Sequence, residues 1–274
     1  MKKIFLATML LASTVCSSCT VKVVDGEADA KKVTKTLKLK DFDAIEINGS
    51  GKVEFSQAPE YKVQLIASEE SMKGVKASVV GKVLTLSRDN SRVNGNKIVQ
   101  LKMSRGGYTL KVSAPSLSAI RITGSGEFTA KTLITAKSLD AEVTGSGDLD
   151  LDNVTADNIS VTVTGSGDAD IHATCSTMAD LMVVGSGDID ADINGCATVK
   201  ASVGGSGDID MDLKKCESIS AEVTGSGDIE ADLVDCGTVD ASTSGSGDIV
   251  LKGQAKGITK TGKGIDAKAL TIKK

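Results

Sequence analysis

The stretch Gly205-Ser206-Gly207-Asp208-Ile209-Asp210-Met211-Asp212-Leu213, followed by Ile219-Ser220-Ala221-Glu222-Val223-Thr224, decides the fold. Ile209, Met211 and Leu213 alternate with three aspartates, and Ile219, Ala221 and Val223 alternate with Ser220, Glu222 and Thr224. Period two with apolar, partly β-branched residues marks two strands, each buried on one side. Gly-Ser-Gly supplies one corner, since glycine accepts the positive φ of a sharp turn, and Lys214–Ser218 supplies the other. Gly-Ser-Gly recurs from Gly124, Gly145, Gly165, Gly185, Gly205, Gly225 and Gly245, with a first interval of 21 and then five of 20. Gly49-Ser50-Gly51 stands apart as an eighth copy, and Gly262-Lys263-Gly264 looks like a worn ninth.

Identical residues at one interval predict an all-β parallel β-helix (β-solenoid) with ~20-residue coils. Each strand would pair with its counterpart one coil along, ~4.8 Å away. An antiparallel sandwich has no need of a fixed interval. Residues 41–274 then form one domain: an irregular β half at 41–122, regular repeats at 123–250, and a basic terminal coil at 251–274. Strand candidates in the irregular half are Ala44–Ile47, Val53–Phe55, Tyr61–Ile66, Val75–Val80, Val83–Leu86, Ile98–Met103 and Tyr108–Val112, with Ser87–Lys97 as a hairpin loop.

Upstream, Met1-Lys2-Lys3 and the apolar Ile4–Ala12 have the layout of a secretory signal, too short to span a bilayer stably. Cys19, after Ser17-Ser18, fits a lipidated cysteine better than Cys16 after Thr14-Val15. The reading is a lipoprotein signal at 1–18 and a polar tether at 19–40, with a membrane anchor that does not span. An exported outer-membrane lipoprotein of the cell envelope, facing the periplasm or the surface, is the expectation.

Composition removes several functions. Hydrophobic content of 40% excludes a disordered chain, and a net charge of −4 with six aromatics and no Trp gives a nucleic-acid binder nothing to work with. A single His and a flat, repetitive acidic face without aromatics argue against an enzyme, although paired carboxylates are the minimum for glycoside hydrolysis. No catalytic residue is assigned. His172 reads as a tolerated surface substitution, and the Ser/Thr set on the other face is too broken to order water.

The one chemical feature is the acid array. Repeat positions four, six and eight point outward and carry Asp148, Asp150, Asp152; Asp168, Asp170, His172; Asp188, Asp190, Asp192; Asp208, Asp210, Asp212; Asp228, Glu230, Asp232; and Asp248. Residues 144–250 hold 21 acids and 3 bases, against 15 acids and 29 bases elsewhere, so the small total conceals a dipolar molecule. Carboxylates one rung apart repel by ~0.9 kcal/mol in water. Solvent, protonation or cations between rungs would relieve this. Weakly bound Ca²⁺ on Asp148, Asp168, Asp188, Asp190, Asp192, Asp208, Asp210, Asp212, Asp228, Glu230 and Asp232 is the functional reading, and a solvated face that keeps a sheet from sticking is the bland one. The nine-residue period of calcium-binding rolls is absent.

Cys196, Cys216 and Cys236 share one repeat position and Cys175 is displaced by one. Adjacent rungs fall within disulfide reach, yet cysteine also packs as a small apolar residue, and a reduced buried ladder is the favoured expectation. A thiol metal site lacks any CxxC pair or His partner.

Phe42-Asp43-Ala44-Ile45-Glu46-Ile47, Lys52-Val53-Glu54-Phe55, Tyr61-Lys62-Val63, Gly81-Lys82-Val83-Leu84-Thr85-Leu86, Ala114-Pro115-Ser116-Leu117 and Thr123-Gly124-Ser125-Gly126, in that order, resemble the head GIN domain family of auto-transporter adhesins, common among envelope proteins of the Bacteroides group. The resemblance covers roughly residues 41–250. It implies a β-helical fold and an envelope lipoprotein, and it brings no catalytic residues. Display or adhesion toward an unknown protein or glycan partner, through the extended faces a repeat scaffold offers, is the expected role, with cation binding on the stacked Asp face as the alternative.

Overall fold

The computed structural model describes residues 32–88 and 107–273. The chain is a β-solenoid whose coils stack by parallel pairing into two sheets. On the first sheet Ile189–Asn194 pairs with Ile209–Lys214, which pairs with Ile229–Val234, each register advancing by 20 residues. On the second sheet Thr198–Val203, Ser218–Val223 and Thr238–Thr243 do the same. In the earlier coils, Asp148–Gly165 and Asp168–Gly185 run through the second corner as continuous strands, with register shifts between Leu151 and Val154 and between Ala156 and Asn158.

The core lies between the sheets. Leu149, Ala169, Ile189, Ile209, Ile229 and Ile249 form one inward column, and all are at most 2% exposed. A fully buried isoleucine contributes roughly 1.5–3 kcal/mol, and each depends on the coils above and below to cover it. At the N-terminal end the column widens to Phe128 and Val53, and Phe55 and Phe128 stack with ring centroids 6.1 Å apart. The aromatic residues are spent there because the first coils have one side to close without a regular neighbour.

The Gly-Ser-Gly corner has three distinct jobs. The first glycine takes positive φ in the early coils, 118° at Gly145 and 136° at Gly185. The serine is exposed from coil to coil. The third residue is buried under the coil before it: a Cβ on Gly187 would lie 1.9 Å from the carbonyl oxygen of Gly167. No side chain fits, so the stacking itself selects glycine.

The irregular half holds the main topological surprise. Ala44–Gly49 pairs on one side with Ala119–Gly124 and on the other with Val83–Arg88, while Lys52–Gln57 lies between Thr109–Ala114 and Glu127–Ala130. The coil built from 44–57 is therefore inserted between a coil made of 83–88 and 109–114 and the coil that starts the regular stack. Gly49-Ser50-Gly51, isolated in sequence, joins the glycine column directly, with Gly49 facing Gly124. Antiparallel strands close this end: Lys62–Ser68 on Thr109–Ala114, and Val75–Val80 on Val83–Arg88. Lys32–Leu37, read from sequence as tether, instead adds an edge strand to Lys62–Ser68. A short helix, Glu69–Lys73, is capped by Ser68, whose side chain accepts the Ser71 amide.

The signal segment, Cys16, Cys19, most of the 87–97 loop and the Ile98–Met103 strand candidate lie outside the described residues. At the far end, Ile249–Ala255, Gly257–Thr261 and Ile265–Ile272 complete the stack, and the inward Ile265 and Leu270 are only half-buried.

Candidate functional site

The acid residues stand in columns on the outer face of the first sheet. Position six runs Asp150, Asp170, Asp190, Asp210, Glu230 in unbroken register. Position eight runs His172, Asp192, Asp212, Asp232 and ends on Lys252. Asp148 faces Asp168 and Glu127 in the position-four column.

Position four does something the sequence did not reveal. The Asp188 amide donates to Asp168 Oδ1 at 3.1 Å, Asp208 to Asp188 at 2.8 Å, Asp228 to Asp208 at 2.7 Å and Asp248 to Asp228 at 2.7 Å. Meanwhile the backbone ladder skips these amides: Ile189 N–H donates to the Asp208 carbonyl, and Ile209 N–H to that of Asp228. Each aspartate thus supplies the acceptor that the next coil's backbone lacks, as a capping residue does at a helix start. Asp168, Asp188, Asp208 and Asp228, expected to be cation ligands, have one carboxylate oxygen committed to this ladder.

The array also carries its own counter-ions. Lys131 Nζ lies 2.8 Å from Asp150 and 3.3 Å from Asp152. Lys252 pairs with Glu230, and Lys214 Nζ lies 3.5 Å from Asp192. Lys131 and Lys252 both occupy repeat position eight, in the first and last regular coils, so the signal was in the sequence: the column of carboxylates begins and ends on lysine. Between those ends the field shows in the titration. Asp210 is raised, first by burial and then by Glu230 and Asp190, and Asp148 by burial, Asp168 and Glu127. Asp170 is raised by burial with Asp190 and Asp150 adding to it, against the opposing effect of His172. His172 Nδ1 lies 3.5 Å from Asp170. Among the described residues no three His, Cys, Asp or Glu side chains converge as a metal-holding group, so the acids form lines rather than a chelating cluster.

Cys175, Cys196, Cys216 and Cys236 are all buried at the second corner as free thiols. Cys196 Sγ lies 3.0 Å from Cys175 Sγ. Its thiol is pushed up to about 12, by burial first and then by Cys175. Cys216 is raised by its hydrogen bond with Cys236 and by burial.

Toward the N-terminus the same face changes sign. A hollow there is lined by Lys52, Lys62, Lys111 and Lys131, with Lys111 3.1 Å from Glu54 and Lys52 paired with Glu127.

Solved structures share this architecture. A putative adhesin from Parabacteroides merdae matches with a TM-score of 0.71 at 17% identity, over 89% of this chain and 96% of its own. One from Bacteroides fragilis gives 0.59 at 23%, over 84% and 97%. A protein from Parabacteroides distasonis, named a putative lipid binding protein, gives 0.58 at 19%, over 85% and 94%. Among curated proteins, none matches. The sequence family "putative auto-transporter adhesin, head GIN domain" matches residues 41–231, most of the chain. The chain belongs to the head GIN domain family.

Proposed function

We propose that this chain is a non-enzymatic scaffold of the cell envelope, held to the outer membrane by a lipid on Cys19, that presents its solenoid faces to a protein or glycan partner. The observation that carries the reading is the in-register acid face, from Asp150 to Asp232, set on a rigid stack and bounded by lysines. A repeat scaffold turns sequence period into an extended surface, which suits multivalent contact better than catalysis. Family membership supports a surface or envelope setting, and no helix among the described residues is long and apolar enough to cross a membrane. The test has two arms. Protease treatment of intact cells should degrade the chain, and arrays of glycans and envelope proteins should show binding that a D190S/D210S/D212S variant loses. A chain protected in intact cells and degraded only after outer-membrane rupture would defeat adhesion.

A second reading, diffuse Ca²⁺ association, draws on the alignment of Asp190 with Asp210 and of Asp192 with Asp212 on adjacent rungs. It predicts that Ca²⁺ raises the melting midpoint more than Mg²⁺ at equal ionic strength. Equal effects reduce it to screening.

A further inference from the structure

We propose that Cys175 and Cys196 form a disulfide that staples two neighbouring coils at the second corner. From the 20-residue period, the pairs to suspect are Cys196 with Cys216 and Cys216 with Cys236, the in-step members of the column. Cys216 does meet Cys236, yet the 3.0 Å approach of two sulfurs involves the member that is out of step. Cys175 lies inside the continuous strand Asp168–Gly185, whereas Cys196 follows the turn at Gly195, where φ is 79°. Register is 20 on both sides of the corner, with Thr174 facing Asn194 and Met178 facing Thr198. The two paths between those pairs differ in shape, and that difference carries the Cys196 sulfur to within 3.0 Å of Cys175.

Adjacent rungs also place the backbones at a separation a disulfide accepts, since Cα atoms in bridged pairs are usually 4.4–6.8 Å apart and sheet strands ~4.8 Å. The other polar contacts of the two thiols are with backbone, Cys196 with the Thr198 carbonyl at 3.1 Å and with Ala179, and Cys175 with the Asp157 carbonyl at 3.4 Å. Both side chains are at most 1% exposed. Oxidation therefore belongs to folding, before the corner packs. A thiolate of either cysteine attacks a small-molecule disulfide such as oxidised glutathione and expels one glutathione thiolate. The other cysteine, as thiolate, attacks the mixed disulfide and expels the second. Two electrons pass to the glutathione disulfide, and the two thiol protons leave with the products.

The test is refolding of the full-length chain, first reduced and denatured, in a glutathione redox buffer, followed by alkylation of free thiols and mapping without reductant. Trypsin is unsuitable because no Lys or Arg lies between Lys137 and Lys200. Cleavage at aspartate separates the partners, since Asp180, Asp188, Asp190 and Asp192 lie between them. The expected result is a crosslinked pair of peptides carrying Cys175 and Cys196, two hydrogen masses lighter than their sum, and a C175A variant in which Cys196 is alkylated. Alkylated Cys175 and Cys196 in refolded wild type overturns the proposal, as does a Cys196–Cys216 crosslink. A melting midpoint lowered by several degrees on adding reductant to wild type, and unchanged in C175A, is the second expected result; an equal drop in both proteins counts against the bridge.

Discussion

The backbone amide of Asp208 donates to Asp188 Oδ1 at 2.8 Å, and Asp208 Oδ1 accepts the amide of Asp228 at 2.7 Å. Asp208 is thus a link in a chain of amide-to-carboxylate bonds as well as a charge, and the two roles separate by substitution. D208N keeps an oxygen acceptor and removes one member of a repelling column, so its stability should equal or exceed wild type. D208A removes the acceptor and should cost about 1 kcal/mol. Urea unfolding of the pair decides the matter; equal losses in both would show that the amide ladder contributes nothing.

Glycine at the corner gives a sharper contrast. G187A places a Cβ 1.9 Å from the Gly167 carbonyl oxygen, which is backbone and cannot swing aside. Forcing two coils apart should destabilise by about 2–3 kcal/mol. At Gly204 the nearest atom to a new Cβ is 3.8 Å away, so G204A should be neutral or stabilising by about 0.5 kcal/mol. Thermal melts of the two variants side by side make the comparison.

The pH dependence follows from the raised carboxyls. Asp148, Asp170 and Asp210 all sit above 3.8, each chiefly through burial. A folded state that binds a proton more readily than the unfolded one gains stability as pH falls and loses it as pH rises through the raised values. Asp152, held down by Asp150 and then Lys131, and Asp235, held down by Lys273, act the other way, with stability present above 3.8 and lost below it. Melting midpoints at constant ionic strength should therefore rise as pH is lowered from neutral into the range where the raised carboxyls take up protons, and fall again in stronger acid below 3.8. A midpoint that climbs steadily to pH 8 would contradict this.

Lys252 ends the position-eight column and pairs with Glu230, with neighbouring acids at Asp232 and Asp210 reinforcing its charge. K252E would extend the line of acids by one rung. It should destabilise the fold in low salt and much less in high salt, because exposed charges are screened. Unfolding at two ionic strengths measures the difference.

Much of this was legible in the residues. Period two and a 20-residue interval gave the strands, the columns and their register, and Asp190 over Asp210 over Glu230 stands as expected. What escaped was local or out of order. Which carboxylate meets a neighbour's amide depends on where the backbone ladder skips, and no pattern of residue types marks a skipped amide. Cys175 is displaced by one place from the thiol column, and equal spacing does not reveal where its sulfur lies, because Asp168–Gly185 has no break at that corner. The neighbours of Gly49 escaped too, because sequence distance hides spatial adjacency when a coil is inserted.

That insertion bears on how the molecule assembles. From Gly124 onward each coil meets a partner about 20 residues away, so assembly can spread coil by coil along the chain. The 44–57 coil has longer-range partners on both sides, 83–88 and 109–114 on one and 119–130 on the other, and closing the longest of these loops costs about 1 kcal/mol more entropy than a 20-residue step. The regular half should therefore nucleate first, with the N-terminal segments docking last. The end of the molecule that leaves the ribosome earliest would be the last to become native.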